Sequence, residues 1–311
     1  MIRRFLAAAL FVCATACGTP YMPVRLPPEL AQPAGTKHAQ GEFEGVGHTA
    51  LFWQSWAPTA TRTRGVVVVM HGLKDHSSRY AAFAHELNAA GYAVYAFDLR
   101  GHGYSSGDRV RVLLFDDYVM DLDIFLHRVQ AAETAPTFLL GHSMGGAIVA
   151  LEAIDYHPDV RGIVLSGAAL DPGVSDFTIG VTKATAAVAP DFDVFNLDLN
   201  DFSRDPAVVA AARKDPLVYQ GAVPAHMATE LVAAIQRIQD GMRSIDEPLL
   251  ILHGKADRVT PPAGSKMLYE RASSKDKTLT LYGRMFHDLL HEPEHEQVTH
   301  DILAWMNART R

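Results

Sequence analysis

The sequence predicts an α/β protein, a mostly parallel sheet with helices packed on both faces. Three observations predict it. The run Val66-Val67-Val68-Val69-Met70 is apolar on both faces, as a strand covered on both sides must be. From Phe43 onward such short runs alternate with helix-length amphipathic segments, the pattern of βαβ units. Glycine and proline punctuate the segments: Gly91 closes one helix and Pro158 follows another. With 311 residues, 48% of them hydrophobic, the chain can bury a large core.

The elements follow in order. Arg3 and Arg4 precede an apolar stretch at 5–12, and Ala14-Thr15-Ala16 supplies the small-x-small pattern that signal peptidases cut. That stretch is shorter than the roughly 20 residues of a permanent membrane span. Residues 1–16 therefore read as a signal peptide, and the protein as exported from a bacterial cytoplasm. Only Cys13 and Cys17 exist, and Cys13 falls in the removed segment, so no intrachain disulfide forms after export. Cys17 at the cleavage site resembles the lipobox of bacterial lipoproteins, where the cysteine carries the membrane anchor. Ala14 stands where leucine is usual, and plain cleavage after Ala16, giving a periplasmic or secreted protein, stays open. Residues 17–40, with Pro20, Pro23, Pro27, Pro28 and Pro33, suit a semi-extended tether.

Strands are predicted at 66–70, 93–97, 137–140, 163–165, 249–252 and 278–281, and helices at 79–90, 116–132, 144–156 and 293–307. Residues 41–170 and 242–311 make the core. The interval 171–241 breaks the rhythm and reads as a cap inserted over the carboxyl end of the sheet; two ordinary αβ units with weak strands are the alternative. Its apolar stretch at 177–190 suits an acyl-pocket wall, a membrane-facing surface or plain packing of cap on core.

The formal net charge of −7 argues against nucleic acid as a partner, because phosphate binding wants a basic face. The C-terminal histidines, His291 and His295 among them, fit no zinc-ligand spacing, and nothing calls for a metal or cofactor. No internal repeat is present.

Gly141-His142-Ser143-Met144-Gly145 has the form G-x-S-x-G and lies between a predicted buried strand and a helix, the context of a nucleophile elbow. There the serine is lifted from the sheet on a strained turn, at a helix N-terminus that favours developing negative charge. Serine is a weak nucleophile near neutral pH, so it needs a base, and the base an orienting acid. In α/β-hydrolases these follow in the chain order serine, acid, histidine. Asp257 stands just past the strand at 249–252, and His287 just past the strand at 278–281. His291 and His295 are the weaker candidates for the base. Two backbone N–H groups must form the oxyanion hole: Met144, after the nucleophile, and Leu73, in the loop after the first buried strand. His71, His102 and His142 more naturally support loop geometry than transfer protons.

The run from His71 to Tyr80, HGLKDHSSRY, resembles the HGxxxHSxRY stretch of monoacylglycerol lipases. Asp98 to Ser105 resembles their D-x-x-GHG-x-S turn, Gly141 to Gly146 their GHSMGG elbow, Asp215-Pro216-Leu217 the DPL of their cap, and Gly254 to Arg258 their G-x-A-D-R. The likeness runs from about Phe43 to the C-terminus. It implies the family's eight-stranded α/β-hydrolase fold with a helical cap, and hydrolysis of medium to long acyl esters such as monoacylglycerols. It also implies that Asp75 and Arg79 stand near the alcohol end of the pocket, as substrate contacts. Where the family often has a second histidine three residues after the base, this chain has Leu290. The same branch includes lysophospholipases and broad carboxylesterases. Acyl transfer to an alcohol shares the first half-reaction, and a non-catalytic lipid-binding protein would keep the fold without the chemistry. The partners implied are a lipid ester and a membrane surface, met through a lipidated Cys17 and the cap; nothing fixes the oligomeric state.

Overall fold

A computed structural model describes residues 24–28, 32–59 and 62–310. The predicted signal peptide and Cys17 lie outside the described residues. The chain opens with an antiparallel pair, β1 (Thr36–Gly45) and β2 (Thr49–Pro58), in continuous register from Thr36 opposite Pro58 to Gly45 opposite Thr49. The tether predicted to reach residue 40 therefore ends earlier, since its last five residues are strand. The residues before them also lie against this pair: Val24 N–H donates to Glu42 at 2.8 Å and the Gln40 amide to the Pro27 carbonyl at 2.6 Å.

The core then alternates as predicted: β3 (Gly65–Met70), α1 (Ala81–Ala89), β4 (Tyr92–Phe97), α2 (Asp116–Ala132), β5 (Thr137–His142), α3 (Met144–Asp155) and β6 (Gly162–Ser166). The helix expected from residue 79 begins at Ala81, because Ser77–Tyr80 is a tight 3₁₀ turn. After β6 come α4 (Asp176–Val188), β7 (Asp193–Phe195), α5 (Pro206–Lys214), β8 (Val223–Pro224) and α6 (Ala225–Gly241). The chain closes with β9 (Leu249–Gly254), α7 (Pro262–Arg271), β10 (Lys277–Tyr282) and α8 (His295–Asn307).

Eight strands form one sheet in the order β1-β2-β4-β3-β5-β6-β9-β10. β2 runs antiparallel to β1 and β4, and the other neighbours are parallel. The two-residue period of a strand splits the core in two. Val66, Val68 and Met70 meet Leu122, Ile148 and Leu151 of α2 and α3 on one face. Val67 and Val69 meet Phe83 and Leu87 of α1 and Ile302 of α8 on the other. Each such side chain contributes roughly 1.5–3 kcal/mol by leaving water. β6 and β9 are neighbours in the sheet although some eighty residues separate them. The chain between them joins no strand of the main sheet; β7 and β8 pair with each other instead. Among the described residues no helix is long and apolar enough to cross a membrane.

Candidate active site

Parallel strands deliver their following loops to one edge, and ligands of open α/β sheets bind outside the carboxyl ends of the strands. Here four loops converge there, after β3, β5, β9 and β10. Ser143 follows β5 with φ 56° and ψ −122°, a strained conformation for a residue with a side chain. Missing side chains permit the turn. A Cβ on Gly145 would overlap the carbonyl oxygens of Met70 and His71, and one on Gly141 would lie 2.5 Å from the Gly145 oxygen. Helix α3 is thereby pressed onto the end of β3.

His287 Nε2 lies 2.8 Å from Ser143 Oγ, and His287 Nδ1 lies 2.8 Å from Asp257 Oδ2. The carboxylate is held on both oxygens. Oδ1 accepts the backbone N–H groups of Val259 at 2.7 Å and Thr260 at 2.9 Å. Oδ2 also faces Thr260 Oγ1 at 2.9 Å and His253 Nε2 at 3.1 Å. Burial alone would raise the Asp257 pKa; the His287 and His253 rings and their hydrogen bonds outweigh it and hold this carboxyl well below the usual range. It is thus an anion near pH 7.

Beside Ser143 two backbone donors are free. Neither the Leu73 nor the Met144 N–H has an acceptor among the described residues, and both residues line the cavity into which Ser143 opens. A Cβ on Gly72 would come within 3.0 Å of Ser143 Cβ, so this loop is in contact with the elbow. His71 fixes it: Nδ1 bonds the Gly72 carbonyl at 2.8 Å while Nε2 accepts Leu99 N–H at 2.9 Å. Because the peptide is planar and trans, holding the Gly72 oxygen orients the Leu73 N–H in the opposite direction. Burial lowers the pKa of His71 and His142 to about 4 and that of His102 to about 3, so these rings stay neutral near pH 7. His102 bonds the Arg100 carbonyl and His142 the Ser166 carbonyl, both at 3.0 Å.

The cavity encloses about 600 Å³, within the roughly 300–1,000 Å³ of ligand pockets. Its floor is Leu73, Ser143 and Met144; most of its wall comes from 171–235, with apolar Ile179, Val194, Leu231 and Ile235. Asp75 and Arg79 are not among its lining residues, contrary to the expectation that they contact substrate. A buried carboxylate needs partners, and Asp75 takes Arg79 at 2.9 Å and the Tyr80 hydroxyl at 3.1 Å. Arg79 turns its other arm to Asp288 at 3.0 Å. His291 and His295 also face away from Ser143, towards Asp288 and the Glu292 carbonyl. The sequence did not single out His253, Thr260 or Asp288. The only available signal was adjacency to Asp257 and His287, which does not say which side chains turn inward.

Known proteins resemble this chain in both sequence and fold. The family model described as serine aminopeptidase, S33, matches residues 61–294, a span holding Ser143, Asp257 and His287. A monoacylglycerol lipase of Mycolicibacterium smegmatis is 38% identical over 86% of this chain and 96% of its own. The human monoglyceride lipase is 34% identical over 84% and 88%. The crystal structure of a Paleococcus ferrophilus monoacylglycerol lipase superposes with a TM-score of 0.73 at 30% identity, covering 88% of this chain and 99% of that one. The chain therefore belongs to the serine aminopeptidase S33 family, in the monoacylglycerol-lipase-like branch of the α/β-hydrolases.

Proposed function

We propose that this protein hydrolyses monoacylglycerols by way of an acyl-enzyme on Ser143. The observation that carries the proposal is the unbroken line Ser143–His287–Asp257, with 2.8 Å at each step, opening into a mostly apolar cavity. His287 takes the Ser143 proton as Oγ attacks the ester carbonyl, and Asp257 holds the imidazole with Nδ1 protonated and stabilises its cation. The Leu73 and Met144 N–H groups receive the oxyanion, each such donor being worth about 3–4 kcal/mol. His287 then protonates the leaving alcohol, and water repeats the sequence on the acyl-enzyme. The apolar wall takes the acyl chain, by the same area-proportional burial that builds the core.

Residues 171–241 act as a cap in this proposal. Phe177, Val181 and Val188 share one outward stripe of α4 and are 81%, 50% and 85% exposed, and Leu113 is 75% exposed on the loop that His226 and Arg111 hold to the cap. An apolar rim of this size supports contact with a lipid surface, from which substrate enters. A lipid-modified Cys17, after removal of residues 1–16, would supply the second attachment that stable anchoring needs.

The test is the rate of hydrolysis of 1-monoacylglycerols from short to long chain, for the protein and for Ser143→Ala. Serine-dependent turnover rising to medium or long chains supports the proposal. Activity confined to short activated esters would make the protein a general esterase, and the absence of serine-dependent activity would leave a lipid carrier.

A further inference from the structure

Asp288, directly after His287, is buried and lines no part of the cavity. Its Oδ2 accepts Arg79 Nη2 at 3.0 Å and its Oδ1 faces His291 Nδ1 at 2.8 Å. Arg79 continues to Asp75, so Asp75, Arg79, Asp288 and His291 form a chain of alternating sign. The chain is neutral only with His291 cationic. Hydrogen bonding asks for the same state. His291 Nδ1 faces the Asp288 carboxylate and Nε2 faces the Arg79 main-chain oxygen at 2.9 Å. Neither partner has a proton to give, and only an imidazolium donates from both nitrogens.

The other groups around this ring do not change that requirement. Tyr80 stands edge-on with its centroid 6.0 Å away, and the Ser203 hydroxyl donates to the His291 carbonyl at 2.8 Å. Glu292 is taken by Arg204, His295 turns to Glu86, and His142 Nε2 approaches Asp288 Oδ1 only to 4.0 Å. Burial alone would lower the His291 pKa, and the Asp288 charge and hydrogen bond outweigh it, so the ring titrates above its ordinary value.

The cluster joins the turn that enters α1 to the turn that carries His287. From the cap side, Asp288 N–H bonds the Phe202 carbonyl at 2.8 Å and the Phe202 ring meets His287 edge-on at 5.3 Å. We infer that His291, as the imidazolium, is a positioning residue for His287: it pins Asp288 to Arg79 and so holds the catalytic imidazole in line with Ser143 and Asp257. The inference rests on the triad assignment made above. Without the proton, Asp75, Arg79 and Asp288 keep a buried net charge of −1, and a neutral ring can donate only one of the two bonds. Removing one partner from a buried ionic set is strongly destabilising, and displacing a reacting group by about 1 Å costs about 100-fold in rate.

The test is a pH titration of the wild-type His291 ring by ¹⁵N–¹H NMR beside the pH profile of kcat on a 1-monoacylglycerol. Expected are two ring N–H protons below the ring's own titration, a pKa above the ordinary 6.5, and an alkaline fall in kcat through that same pKa. His291→Gln lowers kcat about 10- to 100-fold with KM little changed and abolishes that alkaline limb, since none of the four residues lines the cavity. His291→Lys, keeping a cation, recovers part of the rate and moves the limb to higher pH. A ring titrating at or below 6.5, or His291→Gln with wild-type kcat and an unchanged alkaline limb, would overturn the inference; if the variants do not fold, the wild-type titration alone decides. Failure of the triad assignment is distinct, for it would show as activity surviving in His287→Ala.

Discussion

Replacing Asp257 by Asn changes a charge and a proton inventory at one point without changing size. The amide can orient in only one way. Oδ1 accepts two backbone N–H groups, from Val259 and Thr260, at 2.7 and 2.9 Å. Turning the NH₂ toward them would break both bonds and set donor against donor, so the amide oxygen stays there and the NH₂ faces His287 and His253. A donor opposite His287 Nδ1 forces the ring to carry its proton on Nε2, the atom 2.8 Å from Ser143 Oγ. The base then arrives already protonated and cannot take the serine hydrogen. Loss of the correct tautomer in a Ser-His-Asp triad costs about 10⁴-fold in kcat, which at about 1.4 kcal/mol per tenfold is about 5.5 kcal/mol of barrier. The assay is kcat and KM on a 1-monoacylglycerol, with thermal unfolding as the control for folding. A loss of less than tenfold in a folded Asp257→Asn protein would refute the assignment of the acid.

Three further outcomes follow from other parts of the molecule. Gly145→Ala places a methyl group against the Met70 and His71 carbonyl oxygens; neither backbone can retreat without parting α3 from β3, so solubility, urea midpoint and activity fall together. Glu152 on α3 has both oxygens buried without a hydrogen-bond partner, and burial, helped by Asp123 and Asp155, pushes its pKa from 4.5 to about 8. The folded state therefore holds a proton that the unfolded state has released, and stability falls as pH rises from 4.5 to about 8. At about 1.4 kcal/mol per unit the penalty reaches up to roughly 5 kcal/mol, so Glu152→Gln should raise Tm far more at pH 8.5 than at pH 5. Phe177→Glu with Val188→Glu puts charge on the exposed stripe of α4; sedimentation with lipid vesicles and turnover of vesicle-borne monoacylglycerol should drop, while turnover of a soluble short-chain ester should not.

What the sequence made legible follows from how strongly each feature constrains residue type. The strand at Val66 to Met70 is covered on both faces, so every position is apolar and the run stands out. Ser143 announces itself because the elbow tolerates only glycine on either side, where carbonyl oxygens crowd. β1 was not foreseen: TKHAQGEFEG lies at a partly exposed sheet edge, so its alternate positions are polar and its pattern is weak. α7 was hidden by Pro261-Pro262, which reads as a loop although proline is well suited to a first helical turn. Asp75 and Arg79 show the other limit. Their types indicate charge, but whether charge meets substrate or partner depends on Asp288, 209 residues from Arg79 in the chain. His253 is invisible for the same reason, since its tie to Asp257 is made by how β9 ends rather than by a motif.

The most direct measurement on the central claim uses an alkyl fluorophosphonate, which reacts far faster with an activated serine hydroxyl than with an ordinary one. Intact-protein and peptide mass spectrometry should find one adduct per chain, on the peptide holding Ser143, with monoacylglycerol hydrolysis falling in proportion to labelling. Hydrolysis that persists in fully labelled protein, or an adduct on another residue while Ser143 stays free, would contradict the account.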